Sequence, residues 1–207
     1  MKEKRRKILR VLQIMLALCT VLSLTSIHNI QVQAAQKKNV VILYFSATGT
    51  TEGAAKKIQK TTKGKLIEIK ASEPYTDDDL DYSDENSRVT IEHESAKTHR
   101  DSFVRPGIEN IKQIKKEVKK ADVVYIGYPI WWGEAPHIVY SAVENIDLSK
   151  KTVVPFCTSA SSGLGKSSSY LKKNATISSK TKWLKGKNFY GVPSQKTVNK
   201  WIKSLKY

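Results

Sequence analysis

The sequence predicts an α/β domain built on a parallel, doubly wound sheet, and three observations carry that reading. Short apolar runs alternate with amphipathic helical segments along the chain. The strongest runs, "NVVILYF" (39–45) and "ADVVYIGYP" (121–129), are apolar almost without interruption, as strands buried on both faces must be. The first run stops at a cluster of hydroxyl residues around one glycine, and helix formers follow at once.

Residues 1–34 read as a secretory leader. "MKEKRRKILR" is basic, "VLQIMLALCTVLSLTSI" is an uncharged apolar run, and "VQAAQ" offers small residues at −3 and −1, placing cleavage between Ala34 and Ala35. The alternative is a leader retained as a membrane anchor, since the run is about long enough to span a bilayer. A lipoprotein signal at "LALC" is the weaker pattern, because bulky Leu18 precedes Cys19 and the apolar run continues past it. All three readings place residues 35–207 outside the cytoplasm as a single domain.

Within that domain "KLIEIK" (65–70) alternates as an edge or neighbouring strand does. "KTVVPFCT" (151–158) is a further strand, with Pro155 expected near its end. "KNFYG" (187–191) is a short fifth candidate. Helices are expected over 51–62, over 108–121 with Ile108, Ile111, Ile114 and Val118 on one stripe, over 135–146 with Pro136 in the first turn, and over 194–207 with Val198, Trp201, Ile202 and Leu205 aligned. Right-handed crossovers then bring the carboxyl ends of the strands to one edge, where ligands bind. Residues 71–107 break the rhythm. They show little periodicity and hold nine carboxylates between Glu73 and Glu94, half of those outside the leader. A loop this long is a functional cover over the ligand edge or a solvated excursion.

The formal charge is +17, of which the leader contributes six Lys/Arg and one Glu, leaving +12. A chain this basic is drawn to anionic surfaces such as a membrane or wall polymer. No aromatic-interleaved basic groove or helix-turn-helix pattern supports nucleic acid as a partner, and secretion argues against it. Cys157 is the sole cysteine outside the leader, so no internal disulfide can form there, and no metal-ligand spacing is present. A lone Cys ending an apolar strand reads as a small buried hydrophobe rather than a catalytic thiol. His93, His99 and His137 are scattered, and no catalytic acid, base or nucleophile is assigned.

The turn at 46–51 carries Ser46, Thr48, Thr50 and Thr51 around Gly49, with no Lys or Arg among them. Strand, hydroxyl turn and helix together build a helix N-terminus whose free amides and hydroxyls suit a phosphate monoester. An ordinary N-cap turn needs only one such hydroxyl. "GYPIWWGEAP" (127–136) places Trp131 and Trp132 at the same edge, where an indole offers a stacking surface to a flat ligand. Adjacent residues point opposite ways, so one of the two faces the ligand; the alternative is that both pack on a helix.

These features resemble the flavodoxin family, whose phosphate loop Thr/Ser-x-Thr-Gly-x-Thr is matched at each fixed place by Ser46, Thr48, Gly49 and Thr51. The resemblance spans residues 37–207 and is strongest to flavodoxin-like members carrying "PYTDDDLDYSDENSR" and "GYPIWWGEAPHIV" segments. It implies a five-stranded sheet in the order 2-1-3-4-5, with helices on both faces, and FMN as cofactor. Its phosphate would lie on residues 46–51, its ring on Pro129, Ile130, Trp131, Trp132 and Gly133, and its pyrimidine edge on Thr158, Ser159, Ala160, Ser161 and Gly163. In the same stretch "ASSGLGKS" (160–167) is one residue from a nucleotide-binding P-loop. Ala160 stands where the first glycine belongs, and no later apolar strand ends in an Asp that could hold magnesium.

The function that follows is electron transfer outside the cytoplasm, between a reductase or membrane quinone donor and an acceptor. The flavin would carry the redox chemistry and the protein would tune it. The alternatives are an NAD(P)H-dependent quinone or flavin reductase, which needs a nicotinamide site not identified here, and a surface-binding domain that has lost FMN. Flavodoxins are typically acidic and this chain is basic. A low potential therefore depends on the 73–94 carboxylates lying near the ring, and neutralising Asp77, Asp78 and Asp79 is expected to raise it.

Overall fold

The computed structural model describes Glu3, residues 38–94 and residues 104–207. The rest of the leader, its cleavage site, Cys19 and His99 fall outside the described residues. Residues 38–207 form one compact unit, and among the described residues no helix is long and apolar enough to cross a membrane.

The strands are β1 (Val40–Tyr44), β2 (Lys65–Glu68), β3 (Val123–Pro129), β4 (Thr152–Ser159), β5 (Lys182–Trp183) and β6 (Lys187–Tyr190). All pair in parallel, in the order β2-β1-β3-β4-β5, and β6 also bonds to β4. The expected order therefore holds, but the fifth position is occupied by two short segments instead of one strand. Pro155 accounts for the break. The carbonyls of Lys151 and Val153 accept from the amides of Lys182 and Leu184 at 2.9 Å, so alternate residues of β4 face the fifth position. Pro155 is next in that alternation and has no N–H to offer. It sits in mid-strand rather than near the end, with its missing donor turned toward the interrupted neighbour.

Helices α1 (Thr50–Thr62) and α6 (Gln195–Ser204) cover one face of the sheet. Helices α3 (Ile111–Lys120), α4 (His137–Asn145) and α5 (Ser167–Asn174) cover the other. Alternation along β1 divides the core: Ile42 and Tyr44 pack with Ala54, Ala55, Ile58 and Val198, whereas Val41 and Leu43 pack with Ile114, Val118, Ile138 and Val139. Each fully buried Ile or Leu contributes about 1.5–3 kcal/mol. The helix expected from residue 108 begins three residues later, because Ile108 bridges Ala71 and Asn110 extends the edge of β2 instead. The Asn110 carboxamide accepts from the Lys70 amide at 3.2 Å and donates to the Glu68 carbonyl at 2.8 Å.

The stretch after β2 is not structureless. It holds a 3₁₀ turn (Asp78–Leu80) and a short helix, α2 (Arg88–Glu94), that hydrophobic periodicity did not reveal.

Candidate functional site

Three strand exits meet at the carboxyl edge. The β1 exit turns into α1 through Gly49, the N-cap, at φ 81°. Nothing lies within 4 Å of where a Cβ would stand there, so glycine is required for its backbone conformation and not for space. Thr48 Oγ1 and Thr50 Oγ1 lie 3.4 Å apart at the surface. Ser46 Oγ is buried with no hydrogen-bond partner. An unanswered buried hydroxyl costs about 1–3 kcal/mol, and a phosphate oxygen at this turn would satisfy it. Glu52 in the first turn is unfavourable to an anion, but Lys56 pairs with it at 2.7 Å. Thr51 departs from the others: its hydroxyl bonds Thr158 Oγ1 at 2.7 Å, buried, and ties the start of α1 to the end of β4.

The β3 exit is a tight hairpin. Trp131 and Glu134 exchange two 2.9 Å backbone bonds, with Trp132 at φ 52° and Gly133 at φ 82° between them, the signature of a type I′ turn. Positive φ is costly for tryptophan, and strain of this kind concentrates at functional positions. The two indoles have opposite fates. Trp131 is wedged edge-on among Phe45, Tyr75 and Tyr82, with centroids 5.5, 5.5 and 6.5 Å away. Trp132 is 42 % exposed; His93 stacks on it at 4.4 Å and 17°, and Tyr82 tilts against it at 5.4 Å. Pro129 and Ile130 are half-buried and join β3 to this turn, with the Ile130 amide donating to the Thr158 carbonyl at 2.9 Å.

At the β4 exit, Ser159 Oγ donates to Asn188 Oδ1 at 3.0 Å and accepts from the Gly163 amide at 3.1 Å, closing a turn that leaves Ala160 and Ser161 exposed. A Cβ at Gly165 would lie 3.6 Å from the Gly133 carbonyl, so this loop adjoins the tryptophan turn. Tyr190, 69 % exposed at the end of β6, lies on its far side, its hydroxyl 3.8 Å from a Cβ built at Gly163. Ser167 stands where a P-loop would present its magnesium-binding hydroxyl. Here it is fully buried, bonded to the Leu164 carbonyl at 2.6 Å and to Tyr128 at 3.1 Å. Cys157 is buried beside Asn188, and burial pushes its thiol up to about 12, which keeps it inert.

The acidic stretch covers the tryptophan turn from the β2 side. Its anchor is Glu92, a buried carboxylate that receives Arg88 Nε at 2.9 Å and the Tyr75 hydroxyl at 3.0 Å. The Arg88 guanidinium also lies 3.9 Å over the Tyr75 ring and donates to the Glu73 carbonyl at 2.8 Å. Burial raises Glu92 above the ordinary carboxylate range, while Arg88 and Tyr75 oppose the rise. Bonds from Thr76 hold Asp79 low, and bonds from Ser83 hold Asp81 low.

A cleft of about 340 Å³ opens between the β1 and β2 exits, with Ser46, Phe45, Ile69 and Tyr75 in its wall. It mixes Glu68 and Glu109 with Lys70 and lies away from Trp132 and the β4 exit, so the meeting of three exits, not this cleft, defines the candidate site. Sequence reasoning missed Tyr82, His93, Asn188 and Tyr190, which only the fold brings to this edge. For Tyr82 and His93 the signal was the aromatic content of a stretch that otherwise reads as acidic loop.

A doubly wound sheet with an anion-suited turn after β1 and an exposed indole after β3 defines a class of ligand-binding α/β proteins. Comparison narrows the class: the flavodoxin family model matches residues 38–205, and the chain belongs to the flavodoxin family. A candidate flavoprotein from Bacteroides eggerthii has a similar structure, with 34 % identity over 82 % of this chain and 99 % of that one and a TM-score of 0.67. One from Bacteroides uniformis gives 35 %, 81 %, 99 % and 0.67. A flavoprotein from Lactobacillus acidophilus, solved in complex with FMN, shares the fold at 24 % identity over 80 % of this chain and 99 % of that one, TM-score 0.54. No curated protein is a significant match.

Proposed function

We propose that this chain binds FMN at the carboxyl edge of its sheet and serves as an electron carrier outside the cytoplasm. It would pass electrons between a reductase or membrane quinone donor and an acceptor. The observation that carries the reading is the β1 exit. A helix N-terminus, two adjacent exposed threonine hydroxyls and a buried, unpartnered Ser46 hydroxyl converge there with no cation of their own. Neutral donors and a helix dipole suit a phosphate monoester at this turn. Family membership and the FMN complex of the Lactobacillus acidophilus protein point the same way.

Ser46, Thr48, Thr50 and the amides from Gly49 onward would hold the phosphate. Trp132, the exposed indole, would face the ring, and the 159–163 turn would take its polar edge. The hydroxyls of Thr51 and Thr158, bonded to each other, would hold these loops together. The bound flavin supplies the redox chemistry. Tyr82 in the acidic stretch touches Trp132, which supports a tuning role for that stretch: Asp77, Asp78 and Asp79 would lower the potential, and their neutralisation is expected to raise it.

The test is to mix the purified chain with excess FMN, desalt, and measure bound flavin from the visible spectrum. Near one FMN per chain supports the site. A folded, colourless protein overturns it and favours a domain without flavin. Rapid bleaching by NADH alone would replace the carrier reading with a reductase.

A further inference from the structure

Charge in this molecule is separated along the strand direction. The strands are all parallel and α1, α3, α4, α5 and α6 run back beside them, so helix C-termini and strand beginnings share one edge. Counting the last turns of these helices, the links into the next strands and the two chain ends of the domain, that edge carries fourteen lysines against four carboxylates, and thirteen of the lysines are exposed. The four carboxylates are already engaged. Glu117 pairs with Lys65 at 3.2 Å, Glu144 pairs with Arg105 at 2.9 Å, and Asp122 and Asp147 each accept a backbone amide at 2.8 Å. The opposite edge bears the nine carboxylates from Glu73 to Glu94, with Arg88 as the one Lys or Arg among them. The eight residues of β4 set the two edges roughly 25 Å apart.

Helix dipoles account for part of this. Lys60, Lys119, Lys120, Lys172, Lys173 and Lys203 occupy last turns, where a cation is favoured. Lys38, Lys150, Lys180, Lys182 and Lys206 lie outside any helix and gain nothing from a dipole. Their sum is a broad positive face. A cleft of about 350 Å³ opens on it between Lys119, Lys151, Asn145 and Asp147, with a carboxylate in its wall that disfavours a lone anion. The spread of exposed lysines therefore suits a field of headgroup phosphates. The course of the chain supports the same occupant. The chain enters the domain on this face, where Lys38 lies 5.3 Å over the Tyr207 ring, and the basic, apolar leader read from the sequence precedes that point. We propose that the strand-amino-end face docks on an anionic lipid bilayer, leaving the acidic edge and its loops turned outward to soluble partners.

This inference goes beyond the flavin reading and does not depend on it: docking is read by sedimentation and flavin by absorbance, so either can fail alone. The test incubates the full chain with vesicles of phosphatidylcholine alone or mixed with phosphatidylglycerol, at low and high salt. Binding is expected on the anionic vesicles only, weakening as salt rises. Lys119→Gln, Lys120→Gln, Lys172→Gln and Lys173→Gln together should weaken it by about fivefold per lysine. A control altering the opposite edge, Lys70→Gln with Lys166→Gln, should change little, since about 25 Å exceeds the screening length of about 10 Å. Circular dichroism melting confirms that both variants fold. Equal binding to neutral vesicles, which leader insertion alone would produce, overturns the proposal. So does salt-insensitive binding, or binding to a soluble polyol-phosphate wall polymer without binding to vesicles.

Discussion

The loop after β1 and the stretch after β2 leave the sheet side by side, yet they treat their polar groups oppositely. The acidic stretch answers four of its carboxylates from within: Asp79 accepts from Thr76, Asp81 from Ser83, Asp84 from Asn86, and Glu92 from Arg88 and Tyr75. The β1 loop leaves Ser46 unanswered and Thr48 and Thr50 with only each other. A segment that satisfies itself is built to hold a shape, and a segment that does not is built to receive something. Of the two, the stretch richer in charge is the scaffold, and the neutral loop is the one left able to receive a ligand.

Removing the anchor of the scaffold should have the largest effect. Glu92→Ala leaves Arg88 without its buried partner and should destabilise the chain by about 3 kcal/mol in urea unfolding, with lost hydrogen-exchange protection over 73–94. If stability is unchanged, the stretch is not held by this cluster. In the receptor, Gly49→Val forces a β-branched residue to positive φ and should cost about 2 kcal/mol together with most flavin binding. Thr51→Val leaves Thr158 unpaired and should cost about 1–2 kcal/mol. Thr158→Val added to it should cost less than the two singles combined, because a hydroxyl pair removed together leaves nothing unsatisfied.

Ser46→Ala sharpens the contrast with an effect of opposite sign. Deleting an unanswered hydroxyl should leave stability unchanged or raise it by up to about 1 kcal/mol, while FMN affinity falls about tenfold. Loss of stability in this variant would mean that Ser46 belongs to the scaffold. The smallest effect concerns Cys157. In a Cys19→Ser chain no thiol should react at pH 8 until the protein is unfolded. A buried thiol raised from 9.0 to about 12 is neutral in the fold. Its contribution to stability is intact below its ordinary value and is lost as pH climbs toward 12. Tyr44, raised by burial and then by Glu68 and Glu52, and Tyr82, raised by burial, act in the same direction and window. The urea midpoint should therefore fall on the alkaline side, above about pH 9.

The doubly wound sheet, the hydroxyl loop and the tryptophan turn were legible in the sequence because each is written in a few consecutive residues. Apolar continuity marks β1 and β3, a period near four marks α3 and α6, and Ser46, Thr48, Gly49 and Thr51 stand at fixed spacing. Tertiary structure alone decided which of those groups remain available. Thr51 looks like its neighbours until Thr158, 107 residues away, takes its hydroxyl. Trp131 and Trp132 are chemically identical until Phe45 and Tyr75 enclose one and the turn exposes the other. Local pattern sets which elements form, because propensity and periodicity act over a few residues. Whether a donor or a ring is free depends on partners that only folding brings into contact.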